Sequence, residues 1–479
     1  HQNRRWSWQS FSDASLKLAR ALTARGIKKG DRVGIVARNS DAHVLLLFAC
    51  ARLGAIMVPL NWRLAVPELK AILADCTPAA LIHDLEFADR ATALAEGMKS
   101  LHLCAFGSPE SAYEQAIASS HRLATHEDVS MTDLATILYT SGTTGVPKGV
   151  IVTHAMNLWN TINCTGAYEI SKRSVFLGVL PLFHTGGLNV FANPVFHYGG
   201  TVILMRAFDP GEALRLIGDP DMGITHMFGV PAIFQFMGQH PNFATTDFSR
   251  LIAVGVGGAP TPVAILNAWA DRGVLLQQGF GMTETSPIVL GLDKEDSLRK
   301  AGSAGKPITH GQVKIVRDDG TTAAPDEIGE VWVRGEHITP GYWQKPEITA
   351  ASFTDGWLHT GDAGYVDNEG FYYIVDRWKD MYISGGENVY PAEVENVLYR
   401  IPSLAEAAVI GIPDQRWGEV GRAIVVVKPG AQLTEDEIMA HCAANLARYK
   451  LPHSVVFTDA LPRNATGKVH KPTLRQQFG

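Results

Sequence analysis

Residues 31–60 read DRVGIVARNSDAHVLLLFACARLGAIMVPL, and the order of textures in this stretch decides the fold class. Arg32 to Ala37 is a short apolar run with the length of a buried strand, and Asp41 to Arg52 is long enough to be a helix. Ala55 to Leu60 returns to a short apolar run. Strand, helix and strand in close succession form a βαβ unit, which demands a parallel sheet with helices laid on its faces. Val44 to Leu60 is the most apolar run in the chain, yet it is shorter than a membrane span and encloses Arg52. It reads as a core helix passing into a buried strand.

The same alternation extends outward. Upstream, Phe11, Leu16, Leu18, Ala19 and Leu22 are spaced for an amphipathic helix; downstream come a helix over Pro67–Asp75 and a strand over Ala79–His83. A second series of strands is expected around Val175–Leu180, Thr201–Leu204, Ile252–Val256 and Val274–Gln278. After Ala304 the texture changes to short strands and turns, at Val313–Arg317, Gly329–Arg334 and Gly370–Val375, as in a β-rich subdomain. Asp376–Asp380 is charged and separates this region from a last unit. There Pro391 opens a helix with Val394, Val397 and Leu398 on its apolar stripe, and Ala407–Ile410 and Ala423–Val427 read as strands. Thr434 and Glu437 have the spacing of a capping box before a helix expected to end near Tyr449.

Composition narrows the function classes. The 479 residues, at about 150 per domain, point to two or more domains. With 46% hydrophobic and 19% charged residues the chain is an ordinary globular one. Its net charge of −6 gives no electrostatic reason to expect nucleic acid as a partner. Five cysteines, far apart and without a C-x-x-C pair, exclude a disulfide framework and a zinc ribbon and fit a reducing cytoplasm. No signal peptide is recognised. The first residue is His1 rather than Met, so the natural N-terminus is expected to lie upstream.

Tyr139-Thr-Ser-Gly-Thr-Thr-Gly-Val-Pro-Lys-Gly149 is the stretch richest in chemistry. Ser141, Thr143 and Thr144 supply hydroxyls, Gly142 and Gly145 let backbone amides close on an anion, and Lys148 adds a cation. Together they suit a polyphosphate. A Walker A loop is excluded, because Pro147 precedes the lysine and Gly149 stands where Ser or Thr is required. This stretch resembles the phosphate loop of the adenylate-forming superfamily, which includes acyl-CoA synthetases, adenylation domains and firefly-type luciferases. Further motifs follow in the order of that superfamily. They are Pro181-Leu-Phe-His-Thr-Gly-Gly187, Gln278-Gly-Phe-Gly-Met-Thr-Glu284, Gly356-Trp-Leu-His-Thr-Gly-Asp362, Asp376-Arg-Trp-Lys-Asp380 with Ser384-Gly-Gly-Glu-Asn388, and Pro462-Arg-Asn-Ala-Thr-Gly-Lys468.

The resemblance implies an α/β fold in which a large N-terminal domain of doubly wound mixed sheets carries the β-rich subdomain. A small, mobile α+β C-terminal domain completes it. Residues 1–376 would form the AMP-binding domain, 377–380 the hinge and 381–479 the lid. The implied reaction joins ATP and a carboxylic acid into acyl-AMP with loss of pyrophosphate, then passes the acyl group to CoA. Negative charge grows on the departing phosphates, so the site must present cations and donors to them. By resemblance Lys468 bridges the carboxylate and the α-phosphate, Lys148 and the loop hydroxyls hold the β- and γ-phosphates, and Thr283 contacts the α-phosphate. Glu284, with Thr140, is implied as the Mg²⁺ site.

Asp362 would accept the ribose hydroxyls beside Arg377 and Ile374, while Gly258, Ala259, Pro260 and Gln278 to Met282 (Gly279, Phe280 and Gly281 between) would surround the nucleotide. Lys379 is the implied pivot, and Ser384, Gly385 and Gly386 the lining of the pantetheine tunnel. Trp417 would stack on the CoA adenine, with Tyr449 as companion and Arg63 near the CoA phosphate. His184 is implied as a gate between the acyl pocket and the thiol tunnel. Gly186, Gly187, Val190, Phe228, Gly229 and Gly257 would wall that pocket together with His184, Gly258, Gln278, Gly279 and Met282, and its glycines and apolar groups imply a bulky acid without a second charge. The run from Phe228 to Gln278 looks most like bacterial feruloyl- or coumaroyl-CoA synthetases, and fatty-acid ligases share much of it. An amino acid substrate is disfavoured, since His184 stands where an ammonium-binding Asp is expected. A carrier-protein-loading enzyme, an oxygenase and a simple binding module are the other readings, and a homodimer is one option for assembly.

Overall fold

The computed structural model describes residues 4–98, 100–123, 127–140, 147–258, 261, 263–317, 319–377, 382–389, 391–398, 400–462, 469 and 471–479. They form two compact units. One contains residues 1–62, 76–138 and 149–375, and the other contains 63–75, 139–148 and 376–479. No change of texture in the sequence marks the two internal segments that group with the C-terminal residues.

The first sheet has the strand order His102–Phe106, Ala80–Asp84, Arg32–Val36, Ile56–Leu60, Leu134–Thr140, Lys148–Thr153. Arg32–Val36 pairs in parallel with Ile56–Leu60 on one side and Ala80–Asp84 on the other. Such a central strand must be apolar on both faces, and Val33 to Val36 are all buried. The connecting helix Asp41–Leu53 buries nine residues and ends at Gly54, whose φ of +65° turns the chain back into the sheet.

The second sheet has the order Lys306–Pro307, Ile288–Gly291, Leu276–Gly281, Ala253–Gly257, His226–Gly229, Val175–Gly178, Thr201–Leu204. It is parallel from Thr201–Leu204 to Leu276–Gly281. Its last two strands are antiparallel. The reversal is tight: a Cβ on Gly281 would lie 1.7 Å from the Pro287 carbonyl oxygen, so no other residue fits there. The β-rich region after Ala304 is a third, largely antiparallel sheet of Gln312–Val316, Gly329–Arg334, Phe353–Thr354, Trp357–Val366 and Tyr372–Arg377.

The second unit carries the fourth sheet, ordered Glu387–Val389, Tyr382–Ser384, Gly418–Val427, Leu404–Asp414, with Pro452–Phe457 added in parallel to Gly418–Val427. Leu404–Asp414 is longer than the apolar core at 407–410 implies, because it pairs with Gly418–Val427 along its length, through Gly411 and Pro413. The capping box forms as expected, with the Thr434 hydroxyl and Glu437 carboxylate each accepting from the other's backbone N–H. The helix stops at Asn445 rather than near Tyr449. Leu446 is extended, and a short 3₁₀ turn over Arg448–Lys450 follows and buries Lys450. In the second unit Lys450 Nζ meets the Glu68 carboxylate at 3.0 Å, and Arg63 pairs with Glu387.

Candidate active site

In the first unit the predicted nucleotide motif lies where the sheet changes direction. Leu276–Gly281 ends beside Gly257, in register with Gly279, and a 3₁₀ turn over Thr283–Thr285 follows. Parallel sheets place ligands at the carboxyl ends of their strands, and Gly229, Gly257 and Gly281 are such ends. Gln278 is fixed from the side, because its Oε1 accepts from the Thr261 hydroxyl and its amide donates to the Gly279 carbonyl. Gly258 has a φ of +83°, so the turn leaving the strand is one that favours glycine.

Glu284 and Thr283 are buried at the end of this motif, 6% and 8% exposed. A carboxylate this enclosed needs donors. The Tyr342 hydroxyl donates to Glu284 Oε1 at 2.9 Å, and the Thr339 N–H holds the Glu284 carbonyl. One fixed carboxylate suits Mg²⁺, which takes one or two carboxylates and completes its shell with water and phosphate oxygens. Among the described residues no group of three or more His, Cys, Asp or Glu forms a metal cage.

Asp362 is buried in the third sheet, 1% exposed. Its position comes from an irregularity in the ladder. Glu330 pairs with Ala363 and Trp332 with His359, so Thr360–Asp362 bulge opposite Val331. The bulge is pinned, since the Thr360 hydroxyl donates to the Val331 carbonyl and accepts from Asp362 N–H, while Gly361 N–H donates to Glu330. Gly361 has a φ of +71°. The motif Gly356–Asp362 is thus a device for placing one carboxylate. Ile374 and Phe280, expected near the nucleotide, pack against the apolar core of this region.

Of the residues expected in the acyl wall, Phe228 is the aromatic one, and it packs with Phe191. Phe228 lies across Gly255 and Gly257, where Cβ atoms would come within 2.7 and 3.2 Å of its ring. Phe191 meets Phe228 and Tyr168 edge to face, with ring centroids 5.9 and 4.8 Å away. Val190 belongs to the same cluster and sits in a π-helical turn over Leu188–Ala192, a feature that often marks functional segments. His184 is exposed rather than a core residue, and its Nδ1 accepts from Gly186 N–H at 3.1 Å. A Cβ on Gly186 would crowd that nitrogen at 3.2 Å, so the His184 ring would have to give way slightly to admit one. A Cβ on Gly187 would instead meet the Pro181 carbonyl oxygen at 2.2 Å, so this glycine serves the turn. Gly229 is close to Ile233 and Phe234.

Within the second unit, Lys148 begins a strand and its carbonyl is 3.5 Å from the Thr140 hydroxyl. Gly385 and Trp417 come together. Gly385 N–H donates to the Trp417 carbonyl, its φ is +60°, and a Cβ there would lie 3.0 Å from the indole. Trp417 is 40% exposed, and Asp414 holds its loop by accepting from the Arg416 and Trp417 N–H groups. Those two donors keep the Asp414 carboxyl below its usual range. Ser384 is buried and Gly386 also has a positive φ. Ser141, Gly142, Thr143, Thr144, Ala259, Pro260, Lys379 and Lys468 lie outside the described residues, as does the side chain of Arg377. Tyr342, Thr261 and Tyr168 carry no sequence signal, because each meets its site only through the fold.

This geometry, with a nucleotide motif at strand ends, a buried metal-type carboxylate and an apolar acyl wall, defines an enzyme that activates acids through a nucleotide. Residues 1–343 match the AMP-binding enzyme family and 393–468 match the AMP-binding enzyme C-terminal domain. A feruloyl-CoA synthase of Amycolatopsis sp is 42% identical, with 99% of this chain and 94% of that protein covered. A long-chain-fatty-acid–CoA ligase of Mycobacterium tuberculosis is 38% identical over 99% of this chain and 93% of its own length. The o-succinylbenzoate CoA synthetase of Bacillus subtilis superposes with a TM-score of 0.89 at 33% identity, covering 99% of this chain and 93% of that one. The chain therefore belongs to the AMP-binding, adenylate-forming superfamily of acyl-CoA synthetases. It is an AMP-forming acid–thiol ligase, with a small carboxylic acid, ATP and CoA as substrates. No described helix is long and apolar enough to cross a membrane.

Proposed function

We propose that the acid is aromatic, of the hydroxycinnamate class that includes ferulate and coumarate. The observation that carries this reading is the pair Phe228 and Tyr168 laid over Gly255, Gly257 and Gly279 and backed edge to face by Phe191, an aromatic surface suited to a flat ring. The 42% identity to a feruloyl-CoA synthase supports it. A medium- or long-chain fatty acid is the second reading, favoured by the fatty-acid ligase at 38% identity. A carrier protein as acceptor would leave the first half-reaction unchanged.

In the proposed mechanism Asp362 holds the ribose hydroxyls and Thr283 the α-phosphate. Lys148 and the loop hydroxyls hold the outgoing phosphates, and Lys468 bridges the attacking carboxylate to the α-phosphate. Glu284 would carry Mg²⁺, which supplies charge neutralisation on the phosphates when bound. Arg377 steadies the nucleotide. His184, exposed and oriented by Gly186, gates the acyl pocket towards the thiol. Lys379 is the proposed pivot by which Ser384, Gly385, Gly386 and Trp417 are presented to CoA in the second half-reaction. The reading includes a cytoplasmic location, supported by the five unbridged cysteines.

The test is pyrophosphate release with ATP and Mg²⁺ over ferulate, coumarate, benzoate, octanoate, palmitate and amino acids, with and without CoA. CoA-dependent turnover highest on ferulate or coumarate supports the proposal. Highest turnover on octanoate or palmitate replaces it with the second reading, and adenylate without thioester points to a carrier protein.

A further inference from the structure

Tyr168 is the last residue of the helix His154–Tyr168 and is 1% exposed. Its carbonyl is engaged by His226 Nε2 at 3.0 Å, and its ring packs on Phe191. Its hydroxyl, in contrast, has no hydrogen-bond partner among the described residues. A phenylalanine would fill the same space without enclosing an unsatisfied polar atom, so packing alone gives no reason for the oxygen. Burial also raises the Tyr168 pKa, which leaves the group a neutral phenol able both to donate and to accept.

The position of the hydroxyl relative to the acyl wall supplies a reason. Gly255 is in register with Phe228 on one side and Gln277 on the other, and Gly257 is in register with Gly279. Side chains alternate along a strand, so Phe228, Gly255, Gly257, Gln277 and Gly279 share one face of the sheet. Three of the five are glycines, covered by the Phe228 ring and Tyr168, while Gln277 donates its amide to the Ala167 carbonyl. The Tyr168 ring edge would be 3.3 Å from a Cβ on Gly255, and its hydroxyl 3.0 Å from a Cβ on Gly279. The oxygen therefore ends at a glycine that the resemblance places in the acyl wall, and Tyr168 belongs to one apolar cluster with Cys164, Phe191, Phe228 and Ile288.

We propose that the Tyr168 hydroxyl reads a polar substituent at the far end of the acid, of the kind a phenolic hydroxyl on an arylpropenoic acid presents. This rests on the assignment of that face to the acyl group and deepens the aromatic reading. On this face Gln277 Oε1 is the other buried polar atom without a partner among the described residues, and the tyrosine hydroxyl discriminates because an acid lacking the matching group leaves it unpaired. Tyr168 acts on choice of acid and touches neither the nucleotide nor the thiol.

The experiment compares acids that differ only in a distal hydroxyl, coumarate with cinnamate and 8-hydroxyoctanoate with octanoate. The readout is kcat/KM for CoA-dependent pyrophosphate release by the wild-type chain and by Tyr168→Phe. The expected result is a wild-type preference for the hydroxylated member and a fall in that preference of roughly tenfold in Tyr168→Phe, with a melting temperature held or raised. An unchanged ratio in both pairs, or equal losses on both members, overturns the role of Tyr168. The aromatic reading is judged separately. If wild-type turnover on octanoate exceeds that on coumarate it fails, and Tyr168 then stands or falls on the octanoate pair.

Discussion

Replacing Lys450 by methionine tests how the second unit is held together. Lys450 side-chain exposure is 3% and that of Glu68 is 10%, with Nζ to carboxylate 3.0 Å. At an effective dielectric constant of about 20 their attraction is on the order of 5 kcal/mol, much of it offset by removing both charges from water. Replacing both partners by an apolar pair costs little in sum, but removing one partner is not neutral. Methionine keeps the aliphatic stem and strands the Glu68 carboxylate, whose other oxygen already accepts from Ala65 N–H. Breaking a buried pair in this way costs about 3–5 kcal/mol. Because the chain has two units, the readout is local hydrogen exchange rather than one unfolding midpoint. Protection should fall roughly a hundred- to a thousandfold in Val66–Cys76 and in the segment around Arg448–Lys450 together. The double variant Lys450→Met with Glu68→Gln, which removes both charges, should recover most of it. Loss confined to one of the two segments, or less than tenfold, refutes the idea that this pair ties them.

Other predictions address chemistry and pH. Lys468→Ala should abolish adenylate formation while sparing thioester formation from supplied acyl-AMP; equal loss of both steps contradicts the role proposed for it. Tyr342→Phe removes the hydroxyl donor to Glu284, a bond to a charged group of about 1.5–3 kcal/mol. The Mg²⁺ concentration giving half-maximal pyrophosphate release should rise roughly tenfold with the CoA KM unmoved, and an unaltered Mg²⁺ profile removes Tyr342 as a positioning residue. His337 is fully buried, neither ring nitrogen has a partner among the described residues, and burial depresses its pKa to about 4. The unfolded chain then binds the proton first as pH falls. Its stabilising effect is complete above about pH 6.5 and is lost towards pH 4, by about 3 kcal/mol. His337→Gln should flatten the melting-temperature profile in that window, and an unchanged slope counts against the assignment.

Much of this was legible in the sequence because it depends on local order. The run 31–60 has the apolar lengths of strand, helix and strand, and those elements form at Arg32–Val36, Asp41–Leu53 and Ile56–Leu60. Motifs such as Gln278–Glu284 and Gly356–Asp362 are contiguous, so their hydroxyls, carboxylates and glycines can be recognised without knowing what lies across from them. The helix end at Asn445 was less legible, because burial of Lys450 against Glu68, far away in the chain, accompanies the change to a 3₁₀ turn.

The sequence by itself determined the α/β class through backbone periodicity, and its contiguous motifs, in their order, carry the resemblance to the superfamily. Only the tertiary structure decided that Tyr342 holds Glu284, that a bulge opposite Val331 positions Asp362, that 63–75 and 139–148 join the C-terminal unit, and that the Tyr168 hydroxyl ends at Gly279. The physical reason is the same in each case. Burial and hydrogen bonding are settled by pairs of residues distant in the chain, and no single segment encodes its partner.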